Sequence, residues 1–278
     1  MTSFAFGAGT LDWEVEKKQL LFLNHKGEVT PCANKFALTR SDTEAVLGVV
    51  GENYEVFQNS SVFEYVAPLV EEGLLTFANQ GYLGGGKKVF VQLEVAEEFE
   101  VVGEKTKGLL TLLTSHDGTG AVALGSTFVR VVCQNSFTTC YKQLREKFSH
   151  REGVTEQVLA SRVAVDFVNA NLAAYSKHCE TLASAKCSVG QFHTAVGEVF
   201  GKPTTELRDS FVSQLETLFR SGKGNSGKTM YDAFNAVTEY ATHFSRKSVA
   251  GRYNYANFGK GADINRRAMA VLNEMATV

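Results

Sequence analysis

The sequence is short of the residues that mark several classes of protein. Its 278 residues include three prolines and one tryptophan, and no stretch of eighteen consecutive apolar residues. Without such a stretch we expect no membrane-spanning helix, and the scarcity of proline argues against a proline-rich disordered tail. Residues 1–7 have no basic region ahead of an apolar one, so we expect no secretory signal there. With 44% hydrophobic residues, a real core is expected.

Cysteine and histidine are present, but their spacing along the chain does not match disulfide frameworks or metal-binding motifs. The five cysteines are an odd number and none forms a C-x-x-C pair, and no two of the six histidines are in H-x-x-x-H spacing. A disulfide framework needs paired cysteines, and a structural zinc site needs closely spaced ligands. We therefore predict no metal, no cofactor and a reducing, cytoplasmic location.

Charges of the two signs are unevenly spread along the chain. Residues 1–104 hold seven Lys or Arg against sixteen Asp or Glu, a net charge of −9. Residues 220–267 hold nine against three, a net charge of +6. This asymmetry indicates a polyanionic partner for the basic part. It is also typical of head-to-tail contact between copies of one chain, and the two explanations are compatible.

Hydrophobic patterning divides the chain into a β-rich part and a helical part. Residues 60–72 have helical spacing, and the Asp117-Gly118 dipeptide predicts a hairpin between two strands. Strands are predicted over 35–40, 45–50, 87–95, 109–114 and 121–133. The pattern predicts helices over 155–185, 188–201 (capped by Ser188 and ended by Gly201), 205–219 (capped by Thr205), 230–244 and 263–276, with a surface loop over 251–261.

Strands followed by helices indicate an α+β fold, with an antiparallel β-rich half packed with a long helix and a helical C-terminal half. We predict a β-rich region over 1–150 and a helical region over 151–278, which form two domains or one continuous domain. Cys133 is assigned to a strand and Cys179 to a helix stripe, and both are predicted core residues, as is Trp13. His116 and Asp117 resemble an acid-base pair. However, the needs of a turn already explain Asp117 and Gly118, and no serine or cysteine is linked to His116 by the sequence.

Cations, aromatic rings and glycines alternate between residues 235 and 267. Lys and Arg neutralise phosphates, and aromatic faces stack on unpaired bases. The alternative is an amphipathic helix, a loop and a last helix with ordinary solvated charge. A second basic stretch, Lys87 and Lys88, follows three glycines at a strand start. The predicted nucleic-acid-binding residues are Lys87, Lys88, Lys223, Lys228, Arg246, Lys247, Arg252, Tyr253, Tyr255, Phe258, Lys260, Arg266 and Arg267.

Residues 222–229 match the G-x-x-x-x-G-K-[ST] pattern of nucleotide-binding loops. In such a loop, amides cradle phosphates, Lys228 reaches the terminal phosphate and Thr229 binds magnesium. That geometry requires a buried strand immediately before the loop, whereas residues 207–219 have a helical period. The pattern therefore indicates a chance match, or a basic loop that contacts a phosphate backbone without hydrolysis.

Several segments together resemble the phage- and plasmid-like proteins built on a domain of unknown function. The matching segments are 47–59, 84–91, 109–118, 130–135, 235–243 and 258–261. The resemblance implies a mobile-element protein without an established catalytic residue set. The predicted hairpin and long helix are also similar to the core of single-strand annealing recombinases, whose rings or filaments hold single-stranded DNA in a groove.

These observations predict a single-stranded DNA-binding and annealing protein of a phage or plasmid. It is expected to act in recombination or replication without bond chemistry, so it is predicted not to be an enzyme, and to assemble into a ring or filament of identical copies. Two alternatives stay open at this stage. One is a nucleotide hydrolase that uses the 222–229 loop, and the other is a protein-binding module that acts on a host factor.

Overall fold

The computed structural model describes residues 11–73, 75–95, 99–138, 147–154 and 164–277. Within them the strands are β1 (Val15–Leu23), β2 (Val29–Arg40), β3 (Val46–Gly51), β4 (Leu75–Leu83), β5 (Lys88–Val95), β6 (Phe99–Val101), β7 (Glu104–Ser115), β8 (Val122–Arg130), β9 (Ser136–Thr138) and β10 (Lys147–Phe148). The helices are α1 (Asn59–Glu71), α2 (Ala164–Ser184), α3 (Val189–Phe200), α4 (Asp209–Ser221), α5 (Met230–Glu239), α6 (Val249–Asn257) and α7 (Lys260–Thr277). A π-helical turn, Tyr240–Phe244, continues α5.

The strands form two sheets. β1, β2 and β3 make a three-stranded antiparallel sheet in that order. The larger sheet has the order β10-β8-β7-β5-β4, with β6 paired to β7 and β9 paired to β8. The pairs β4–β5, β6–β7, β8–β9 and β8–β10 are antiparallel. Strands thus dominate the first half and helices the second, which confirms the predicted α+β class.

The chain divides into two compact units, each drawn from three stretches of sequence. The first unit comprises the described residues within 1–96, 110–124 and 144–164, and the second those within 97–109, 125–143 and 165–278. Strands β7 and β8 contribute residues to both units. The predicted division into 1–150 and 151–278 stays a prediction. The two compact units are instead assembled from interleaved stretches of the chain.

Aromatic packing holds the second unit together. Tyr175 of α2 stacks on Phe128 and Phe137 at centroid distances of 4.8 and 5.3 Å, and Phe137 meets Phe234 edge to face. Every residue of α5 is buried. A helix that is enclosed on all sides keeps its polar side chains away from water. The polar side chains of α5 therefore need hydrogen-bonding partners inside the protein.

Most predicted elements are present, and three local predictions are wrong. Ser188 and Gly201 bound α3 as predicted, with a reciprocal capping box at the start and a left-handed residue at the end. Thr205 instead lies in a short 3-10 turn, and α4 begins after Arg208. Cys133 is buried but lies in the turn that follows β8, not in the strand.

The third correction concerns residues 251–261, which form helix α6 and the start of α7 instead of a loop. The Ser248 hydroxyl accepts a bond from the Gly251 amide and caps α6. Gly261 lies where an added Cβ would come within 2.5 Å of the Tyr255 ring. The glycine therefore serves close helix packing. Part of the predicted 155–185 helix, residues 155–163, lies outside the described residues.

Candidate nucleic-acid-binding surface

The predicted basic-aromatic residues lie on elements of the second unit, from the π-helical turn to the start of α7. Arg246 and Lys247 are exposed in the link between that turn and α6, and Arg252 and Tyr255 lie on α6 itself. Lys223 is exposed in the loop between α4 and α5. We call Lys223, Arg246, Lys247, Arg252 and Tyr255 the basic surface.

Arg246 and Tyr255 form a direct cation–π contact. The guanidinium carbon of Arg246 lies 4.1 Å from the centre of the Tyr255 ring. Burial raises the pKa of the Tyr255 phenol and the nearby Arg246 charge opposes that shift, so the phenol stays neutral at physiological pH. An Arg stacked on an aromatic face presents a planar cation to phosphates or bases. The contact therefore preorganises one charge of the basic surface.

His243 marks the place where the loop and α6 come together. Its Nε2 lies 2.9 Å from the Cys133 carbonyl oxygen. Burial lowers the pKa of His243, the bond to that carbonyl opposes the shift, and the charges of Lys223 and Arg252 lower the pKa further. The charges of both cations therefore act on the same ring. His243 is therefore neutral, and the positive charge here belongs to its neighbours.

Arg252 also has a structural role. Its Nη1 donates to the carbonyl oxygens of Arg246 and Lys247 at 3.1 and 3.0 Å. These bonds fix the link that carries the other two cations. Tyr253 and Phe258, also predicted to stack on bases, are half-buried and meet edge to face at a centroid distance of 6.0 Å.

The other predicted cations have different surroundings. Arg266 pairs with Asp263 one turn earlier on α7, and Arg267 donates to the Val199 carbonyl oxygen at 3.1 Å. Lys228 and Lys260 are exposed on the second unit. Lys87 and Lys88 belong to the first unit, so the basic surface as defined does not include them.

The loop that matches the nucleotide-binding pattern is bound to a carboxylate of the protein itself. Helix α4, not a strand, precedes it. The backbone amides of Ser226, Lys228 and Thr229 donate hydrogen bonds to the Asp232 carboxylate at 3.0, 2.9 and 3.0 Å. The side-chain hydroxyls of Ser226 and Thr229 donate to the same carboxylate. Burial alone would raise the pKa of Asp232, but these bonds keep it below its usual value. The amides that would cradle a phosphate are thus already used.

A buried ion pair lies beside this loop and was missed at the level of sequence. Arg130, whose side chain is 2% exposed, binds Glu104 through two bonds of 2.6 and 2.7 Å. The Arg130 guanidinium also lies over the Tyr231 ring at 5.3 Å. An added Cβ at Gly224 would be 2.8 Å from both Arg130 Nη2 and Glu104 Oε1. Only glycine lets the loop lie this close to the pair.

His116 in the first unit is a core residue. Its ring is fully buried, its Nε2 lies 3.1 Å from the Asn59 side-chain oxygen, and it meets Trp13 edge to face. Asp117 instead binds the hairpin turn, since its carboxylate accepts from the Ser115 hydroxyl and the Thr119 amide. Core packing thus accounts for His116 and the hairpin turn accounts for Asp117, the two residues that resembled an acid-base pair. Trp13 is buried as predicted.

The buried state of His116 predicts a pH-dependent stability. Burial, with a smaller contribution from His150, lowers the pKa of His116 to about 3, whereas an unfolded His has a pKa of about 6.5. Between these values the unfolded chain binds a proton that the folded chain does not. The free energy of unfolding should therefore fall as the pH drops below about 6.5, by up to about 1.4 kcal/mol per pH unit for this residue.

Urea denaturation at several values between pH 7 and pH 5 measures this slope. His116→Gln should flatten it whatever that substitution does to stability at neutral pH, and His25→Gln, at an exposed turn, should leave it unchanged. A His116→Gln slope equal to the wild-type slope would show that His116 is not the group involved.

The described residues offer no metal centre, because their His, Cys, Asp and Glu side chains form no group of three that could hold an ion. Among the described helices, none is long and apolar enough to cross a membrane.

A family model described as a domain of unknown function (DUF932) matches residues 46–270. No curated protein and no solved structure matches the chain. The matched range includes the buried ion pair and the whole basic surface, and the chain belongs to the DUF932 family.

Proposed function

We propose that this protein binds single-stranded DNA through the basic surface and promotes the annealing of strands. The observation that carries the proposal is the contact of the Arg246 guanidinium with the Tyr255 ring at 4.1 Å. Arg252 binds the backbone of the link that carries Arg246 and Lys247, and the charges of Lys223 and Arg252 both act on His243. These residues come from a loop, a link and a helix, yet they lie on one unit. Cations beside an aromatic ring are the combination that proteins use to hold an unpaired strand.

The action requires no bond chemistry. Exposed Lys and Arg side chains replace the counterions of the phosphate backbone, while Arg246 and Tyr255 offer planar faces to a base. A strand held by its backbone with its bases extended is ready to pair with a complementary strand. The activity is then binding alone, without cofactor or catalytic residue.

We further propose that the protein comes from a phage or plasmid and acts in recombination or replication as an assembly of identical copies. The support for self-assembly is the charge distribution, −9 over residues 1–104 and +6 over residues 220–267. Opposite charges on two parts of one chain favour head-to-tail contact between copies. A ring or filament would align the basic surfaces of successive copies along one strand.

The first test is the salt dependence of binding to a labelled single-stranded oligonucleotide, followed by fluorescence anisotropy. Affinity should fall as salt rises, with a slope of about 0.7 per phosphate neutralised. Arg246→Ala and Lys247→Ala should each weaken binding several-fold and reduce that slope by about 0.7. The matched control is Lys177→Ala, an exposed lysine of α2 in the same unit, which should change neither quantity.

Absent binding, or equal binding at low and moderate salt, would overturn the proposed function. A loss in Lys177→Ala as large as in Arg246→Ala would instead show attraction by total charge, without a defined surface. Sedimentation of the protein with and without the oligonucleotide tests the proposed assembly separately.

A further inference from the structure

One face of the buried helix α5 carries three polar side chains, and two of them interact with Arg130. Tyr231, Asn235 and Glu239 are four residues apart, so they share one side of the helix. Tyr231 packs against Arg130, and the charge of Arg130 acts on the Glu239 carboxyl. Asn235 lies about one helical turn from each of them along this face. All four side chains are deeply buried, with Asn235 fully enclosed.

These side chains hold hydrogen-bonding atoms that nothing in the described part of the chain satisfies. They are Arg130 Nη1, the Tyr231 hydroxyl, both polar atoms of the Asn235 amide, and Glu239 Oε2. Buried polar atoms are nearly always paired in folded proteins because an unpaired one reduces stability. Several in one place indicate a group of atoms kept for a ligand.

The tip of the loop between α4 and α5 covers this group. An added Cβ at Gly222 would come within 2.5 Å of Glu239 Oε2, and Gly224 lies against Arg130 and Glu104. The other half of the loop is tied to Asp232. At the tip, the Lys223 amide bonds to the Glu239 carboxyl. For a ligand to enter, the tip has to give up this bond and lift while the rest of the loop stays in place. Lys223 itself belongs to the basic surface.

We propose that the polar group under the loop tip is a pocket for one nucleobase of the bound strand. A carboxamide presents a donor and an acceptor side by side, which complements the pairing edge of every base. Asn235 supplies that edge contact, and the planar groups of Tyr231 and Arg130 supply the stacking face. This inference rests on the proposed function and names what the protein does with a base once Lys223 has engaged the backbone.

The test compares a 12-nucleotide oligothymidine with an abasic strand of the same length and charge. Asn235→Leu keeps the branched outline of the side chain and removes an amide whose polar atoms have no partner in the described chain. It should weaken binding of the thymidine strand about tenfold, leave binding of the abasic strand unchanged, and keep or raise the melting temperature. Tyr231→Phe, which removes one hydroxyl, should weaken thymidine binding about threefold without disturbing the fold.

The matched control is Asn273→Leu on α7, whose amide already donates to the Met269 carbonyl oxygen and which should alter neither affinity. Unchanged thymidine binding in both Asn235→Leu and Tyr231→Phe would overturn the pocket. Salt-sensitive binding of both strands by the wild-type protein would then still support the proposed function. Failure of the wild-type protein to bind either strand would overturn both proposals.

Discussion

Glu104→Gln should lower the free energy of unfolding by about 3–5 kcal/mol, the largest effect expected of any single substitution here. The Arg130 guanidinium is almost completely buried and donates hydrogen bonds to both carboxylate oxygens of Glu104. Burial alone would lower the pKa of Arg130, but Tyr231, Cys133 and Glu104 raise it, so the residue stays charged. A neutral amide at position 104 would leave that charge buried without its main counter-ion. Urea denaturation measures the loss.

The control for this substitution is Glu216→Gln on α4. Glu216 pairs with Arg220, whose side chain is 56% exposed, and exposed pairs contribute about 0–1 kcal/mol. In addition, Arg130→Met introduced into Glu104→Gln should recover part of the loss, because an apolar side chain leaves no unpaired charge. A Glu104→Gln effect no larger than the control would show that the pair does not form.

Asp232→Ala should lower the free energy of unfolding by about 2–4 kcal/mol, since charge-assisted bonds to three amides are lost together, one of them the capping-box bond of α5. Amide hydrogen exchange of Ser226, Lys228 and Thr229 should accelerate by at least tenfold. The depressed pKa of Asp232 adds a pH signature. Its contribution to stability is present above the unfolded pKa of about 3.9 and is lost as the pH falls through the folded value.

Asp263→Ala is the matched control for Asp232→Ala. Asp263 is also an acidic residue in the first turn of a helix, but its side chain is 48% exposed and its ion pair with Arg266 lies on the same helix. Its loss should cost at most about 1 kcal/mol. Slow exchange at the three loop amides in Asp232→Ala would show that other groups hold the loop.

Local backbone requirements made several elements predictable from the sequence. Asp117 and Gly118 predicted the hairpin because a tight turn needs a side-chain acceptor and a left-handed residue, and Gly118 has a φ of 74°. Ser188 and Gly201 predicted the bounds of α3 for the same kind of reason. These preferences act over three or four residues, so the sequence shows them directly.

Features that depend on distant residues could not be read in this way. Glu104 of β7 pairs with Arg130 of β8. Tyr231, which packs against Arg130, lies on α5 about a hundred residues later in the chain. The glycines at 251–261 resembled loop residues, whereas Gly261 is needed because the Tyr255 ring lies against it. The cations of the basic surface were named from sequence, but the fold was needed to show that Lys223 and Arg252 both act on His243.

The interleaved course of the two compact units constrains the order in which the chain can fold during synthesis. The first unit requires residues up to about 164, and the second requires residues 97–109 and 125–143 together with the C-terminal helices. A nascent chain that ends near residue 140 therefore completes neither unit. Because the units are interleaved, cleavage at one position in the chain cannot release either unit intact. Strands made early must wait for helices made late, a delay that favours chaperone contact during translation.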